Sequence, residues 1–205
     1  MIRMTLAAVA LALTVTACGG EVRMGAAATF ADAPRISQDD LADATAEWQA
    51  FYAKHPLDRS VLMLPKANSL QGSVLAALIG LRVAEETADE RGIEVTDAEV
   101  DRFVSTLTGG QPVRFDQVAM RFGVAPSHSR QFARTVLIND RLAQGAVDEE
   151  ASVRQVGDAL AETARGMGIR VNPRFGGAYA PGFPLGLLYA PDYDLSKPAK
   201  RTGGA

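Results

Sequence analysis

The chain is predicted to be all-α, an irregular bundle of about six helices. Three observations carry that expectation. Apolar residues recur at helical spacing through most of the chain. A capping box stands at Thr96-Asp-Ala-Glu99. The middle of the chain is rich in Ala, Leu, Val, Arg and Glu, whereas Gly and Pro concentrate in roughly the last thirty residues.

A first helix starts at Ser37, whose hydroxyl can accept an orphan amide, with Asp39 and Asp40 complementing the helix dipole. Leu41, Ala44, Trp48, Phe51 and Tyr52 form its apolar stripe, and Pro56 stops it just after His55. Residues 57–68 read as a connector holding the apolar run Val61-Leu62-Met63-Leu64. A second helix covers about 70–91, with Val74, Ala77, Leu78, Leu81 and Ala84 inside and Gly92 as its stop. The capping box then opens a third, with Val100, Phe103, Val104 and Leu107 on its apolar face and Gly109-Gly110 at its end.

A short helix at about 114–122 shows Phe115, Val118, Ala119 and Phe122. Another at 127–144 shows Phe132, Val136, Ile138 and Leu142. The last, at about 149–166, carries Val153, Val156, Leu160 and Ala164. Ile169-Arg-Val171 alternates as a short strand would, and from residue 177 onward the Gly/Pro-rich sequence is expected to be a disordered tail.

The N-terminus has its own logic. Arg3, a run of small and apolar residues from Leu6 to Leu13, and Val15-Thr-Ala-Cys18 describe a secretory signal too short to span a bilayer. Branched and small residues directly before a cysteine resemble the lipobox of bacterial lipoproteins. That resemblance implies a signal peptide over 1–17 and acylation of Cys18 by lipid chains of the palmitate class. A flexible tether over 18–33 would join the lipid to a domain over 34–176. Each buried methylene contributes ~0.8 kcal/mol to anchoring, so lipidation would hold the chain on the outer face of the cell membrane. Cys18 is the sole cysteine, so no internal disulfide is possible.

Charge and chemistry narrow the function classes. With 21 basic and 24 acidic side chains the formal net charge is −3, which offers no electrostatic case for nucleic acid; export argues against nucleotide partners. The two histidines, His55 and His128, have no carboxylate or second histidine at ligand spacing, so no metal site is expected. Ser127-His-Ser129 lacks a nucleophile elbow. Asp39-Asp40, Glu85-Glu86 and Glu149-Glu150 sit in first turns or on polar helix faces, where solvated carboxylates are ordinary. Phe115–Val124 followed by Ser127–Phe132 has the spacing of two helices joined by a tight Gly123 turn, which is also a plain packing unit. The expectation is a non-enzymatic protein with no cofactor.

Three stretches carry a wider resemblance: Arg35-Ile-Ser-Gln-Asp-Asp-Leu41, Arg91-Gly-Ile-Glu-Val-Thr-Asp-Ala-Glu-Val100 and Gly168-Ile-Arg-Val-Asn-Pro-Arg-Phe-Gly176. Over about residues 30–176 the chain resembles the N-terminal domain of SurA-type periplasmic chaperones and PrsA-type foldases, in the short lipoprotein form found in actinobacteria. The resemblance implies a helical cradle in which Ile36 pairs with Ile169–Val171. It also implies that unfolded or extended exported polypeptides are the partners. A parvulin-type prolyl isomerase domain, which many members carry, finds no room after the last helix. The alternative reading is a scaffold lipoprotein that binds one envelope partner. Val61, Leu62, Met63 and Leu64 are the candidate client-binding residues, since methionine-containing apolar surfaces adapt to varied partners; equally, they can simply complete the core.

Overall fold

The computed structural model describes residues 24–65, 68–182 and 184–188, and Cys18 with its signal segment lies outside them. The six expected helices are present: α1 (Gln38–Lys54), α2 (Leu70–Arg91), α3 (Asp97–Thr108), α4 (Pro112–Met120), α5 (Ser129–Leu142) and α6 (Glu149–Gly166). Among the described residues five short strands accompany them: β1 (Ala26–Thr29), β2 (Ile36–Ser37), β3 (Arg170–Val171), β4 (Tyr179–Ala180) and β5 (Leu187–Leu188). The architecture is an irregular helical bundle with small antiparallel strand pairs.

Local chemistry sets most helix starts. Ser37 Oγ accepts the Asp40 amide at 3.0 Å while Asp40 Oδ2 accepts the Ser37 amide at 2.9 Å, a reciprocal cap at the head of α1. The Ser37 hydroxyl and then the Ser37 amide, both beside the Asp40 carboxyl, hold it below the usual aspartate range. Thr96 and Glu99 cap α3 in the same way, and Asp148 Oδ1 accepts the Ala151 amide at 2.7 Å to start α6. In α4, Pro112 occupies the first turn, so the helix begins two residues before the expected start at 114. Pro126–His128 form a separate 3₁₀ turn, and α5 starts only at Ser129.

The centre of the bundle is α2. Its expected apolar face is buried except at Leu78, which is only half-buried, and Leu75, Ala76, Ile79, Gly80, Val83, Thr87 and Ala88 on its other sides are buried too. A helix apolar around most of its circumference belongs inside a core, and α1, α5 and α6 all pack on it. Trp48 of α1 is buried, donates its indole N–H to the Met120 carbonyl at 3.0 Å, and stacks on Tyr52 at 5.2 Å. Phe115, Phe132 and Phe122 join α4 to α5 with ring centroids 5.3–6.1 Å apart. The spacing is less faithful at the periphery, where Leu107 of α3 is 54 % exposed and Val153 of α6 is also exposed.

Two segments depart from expectation. Ala26–Thr29, read as part of a tether, is the middle strand of a sheet ordered β2-β1-β3. Ile36 pairs with Ala28 on one side and Val171 pairs with Ala28 on the other, so the two expected partners never meet. Ala26, Ala27 and Ala28 are 0 % exposed, and β1 packs on α1 and α2. Alanine has little intrinsic preference for strands, so the absence of bulk decides: only small side chains fit between the flanking strands and the helices. Asn172 fastens the closing strand by donating its amide to the Ala27 carbonyl and its Nδ2 to the Ala26 carbonyl.

The second departure is the start of the Gly/Pro-rich tail. Tyr179–Ala180 and Leu187–Leu188 pair as the two arms of an antiparallel hairpin, with Tyr179 opposite Leu188 and Ala180 opposite Leu187. Leu185 and Leu188 are buried against the bundle. The turn needs Gly186, at φ 78°, where a Cβ would fall 2.6 Å from the Ala180 carbonyl oxygen.

A buried carboxylate in β1 separates strand from tether. Replacing Ala27 with Asp is expected to lower the urea midpoint by the equivalent of about 3 kcal/mol or more, since an unpaired charge would enter the core. An unchanged midpoint would return residues 26–29 to the tether.

Candidate functional site

Val61–Leu64 alternates. Leu62 and Leu64 pack on the core, whereas Val61 and Met63 face outward, Met63 being 59 % exposed. Two side chains of this run thus complete the core, and two stand at the surface. The connector leaves a 3₁₀ turn at Arg59–Val61, runs on in extended form from Leu62, and is pinned by one residue at the end of α4. The Arg121 Nε donates to the Val61 carbonyl at 2.9 Å, and the Met63 amide donates to the Arg121 carbonyl at 2.7 Å.

Beside Met63 lies an apolar cleft of about 280 Å³. The connector forms one wall with Met63, Leu64 and Pro65; Ala76 and Ala77 of α2 form the floor; the hairpin residues Ala180 to Leu187 form the far wall. Sequence spacing found the connector wall. It missed the hairpin, because the residues that seat it are distant in sequence and individually unremarkable.

Those residues act on main chain. Asn68 Nδ2 donates to the Leu188 carbonyl at 2.8 Å, and Asn139 Nδ2 of α5 donates to the Pro184 carbonyl at 3.3 Å. On α2, Gly80 lies so close to the hairpin that a Cβ there would overlap the Leu185 carbonyl oxygen and stand 2.9 Å from its Cα. Tyr179 Oη donates to the Leu185 carbonyl at 2.8 Å. Burial pushes the Tyr179 phenol well above its ordinary range, so this donor keeps its proton at any physiological pH.

A larger, open depression of about 620 Å³ runs between α1, α2 and the 3₁₀ turn, bordered by Asp40, Asp43, Glu47, Arg82 and His128. Its principal charges already have partners. Asp40 caps α1, and Glu47 accepts both the amide and the hydroxyl of Ser127. Arg82 bonds the Pro34 carbonyl and covers the Phe30 ring at 4.7 Å. Ser129 Oγ donates to Asp116 Oδ1 at 2.6 Å, so both serines flanking His128 bond carboxylates. His55 packs against Phe51 at the end of α1. Among the described residues no group of three or more His, Cys, Asp or Glu side chains is placed to hold a metal ion. No described helix is long and apolar enough to cross a membrane.

An apolar cleft walled by an extended connector and an extended hairpin suits an extended chain better than a compact polar ligand. The chain is 33 % identical over 93 residues to the protein named Chaperone SurA of Ralstonia nicotianae, a match covering 44 % of this chain and 19 % of that protein. This chain thus spans about a fifth of the length of the curated relative it matches. No family model and no solved structure matches the chain.

Asn68 is the accessible clamp. Changing it to Ala leaves the Leu188 carbonyl without its donor and is expected to destabilise the hairpin by about 1–2 kcal/mol. Limited proteolysis after Tyr179 should speed up while the helical circular-dichroism signal stays unchanged. Equal cleavage rates would show that the carboxamide does not hold the hairpin.

Proposed function

We propose that this chain is a membrane-anchored extracytoplasmic lipoprotein that binds unfolded or extended exported polypeptides without catalysing a reaction on them. The observation that carries the reading is the apolar cleft beside Met63, bounded by main chain on two sides. The partial similarity to a protein named as a chaperone supports it. Non-catalytic binding requires apolar area, and the lining of the cleft supplies it. Anchoring through acylated Cys18 would keep the cleft where exported chains emerge, and the reading calls for no cofactor, nucleotide or nucleic acid.

The energetic scale suits transient capture. Burying one exposed methionine on binding contributes at most about 1.5–3 kcal/mol, so a cleft with few such side chains holds clients weakly and releases them. That is the behaviour expected of a surface that must not trap a folding chain.

The full chain should slow the aggregation of citrate synthase diluted from denaturant. Met63→Asp should weaken that protection about tenfold in the concentration required, through loss of one apolar contact and a charge placed in the cleft. Because Met63 is mostly exposed, the substitution should leave thermal stability nearly unchanged. No protection by the unaltered chain at several-fold excess would contradict the reading.

A further inference from the structure

The surface beneath the hairpin receives the side chains of Leu185 and Leu188, and it also grips the hairpin's main chain. Asn68 and Asn139 both donate to carbonyls of the hairpin. Gly80 offers bare helix backbone to Leu185, and Gly72 does the same one region away, where a Cβ would stand 2.7 Å from the Phe175 carbonyl oxygen. None of these contacts reads the identity of the residue it touches.

The hairpin does not satisfy this surface completely. Asn139 is 1 % exposed, and its carboxamide can both donate and accept, yet only its donor is used. Its Oδ1 has no partner among the described residues. One turn earlier on the same face of α5, Thr135 is fully buried and its Oγ1 is equally without a partner. Buried polar atoms of this kind are rare in native proteins, because each forfeits the hydrogen bonds it made in water. An extended chain carries N–H and C=O groups in alternation and could serve both atoms of the Asn139 carboxamide.

We propose that the Tyr179–Leu188 hairpin is a self-bound occupant of a main-chain seat on α2 and α5, and that an extended segment of an unfolded polypeptide displaces it. The inference rests on the polypeptide-binding function proposed above and adds its regulation. The hairpin closes the seat, so apparent affinity is the intrinsic affinity scaled by the fraction of molecules in which the hairpin is open. A client that offers a main-chain donor to Asn139 gains a contact the hairpin lacks. Loosely fitting segments fail to open the seat, and the apolar floor stays covered between clients.

The test uses the full chain and reduced, carboxymethylated α-lactalbumin, a permanently unfolded probe. Hydrogen exchange at the β4 and β5 amides should accelerate at least fivefold when the probe is saturating. Two substitutions loosen the hairpin without touching α2 or α5: Tyr179→Phe removes the bond to Leu185, and Gly186→Ala strains the turn. Each should bind the probe roughly fivefold more tightly by fluorescence anisotropy, as expected for loss of one hydrogen bond from the closed state. Probe binding with undiminished protection of β4 and β5, or with both variants no tighter than the parent, would overturn the inference and leave the proposed function standing. Absence of binding by the parent and both variants would overturn both. The exchange measurement on the unaltered chain stands even if a variant fails to fold.

Discussion

The burial of α2 on nearly every side is the constraint on which the rest of the molecule depends. A helix can be surrounded this closely only if it presents small side chains where neighbours cross, and Gly72, Ser73, Ala76, Ala77, Gly80 and Ala84 supply them. The larger residues between them, Leu75, Ile79, Leu81 and Val83, fill the spaces that remain. One helix therefore organises α1, α5, α6, the sheet that contains β1, and the hairpin. Its small residues also create the floor of the cleft, so scaffold and candidate site are two consequences of one sequence feature.

The polar groups around α2 divide into two kinds. Caps such as Ser37 with Asp40 and Thr96 with Glu99 settle helix ends locally. Asn68, Asn139 and Asn172 act at long range, each carboxamide holding a segment of extended main chain. The same device thus fixes the closing strand and seats the hairpin. At Asn172 the fit is tight, with both its amide and its Nδ2 bonded to β1. At Asn139 it is incomplete, and that difference separates a structural strand from a displaceable one.

Much of the bundle was legible in the sequence, because helix ends are local events. Ser37, Gly92 and the Thr96–Glu99 box stand where α1, α2 and α3 begin or end, and α6 spans the expected 149–166. Boundaries slipped where proline intervened: Pro112 started α4 early, and Pro126 diverted three residues into a 3₁₀ turn. The misreadings were of segments whose order comes from elsewhere in the chain. Ala26–Thr29 looks like a linker until the helices that cover it are known. Tyr179–Leu188 looks disordered until Asn68, Asn139 and Gly80 are brought beneath it. Of the candidate site, the sequence disclosed the connector around Met63 and hid its opposite wall for that same reason.

The proposed place of capture is the cleft beside Met63, where the hairpin gives way to an unfolded chain. Site-specific photocrosslinking tests it directly, with a photoreactive residue at position 63 on the rim of the cleft or at position 153 on exposed α6. With an unfolded polypeptide present, the account predicts strong crosslinking from 63 and little from 153. Equal capture at both positions, or capture from 153 alone, would contradict it.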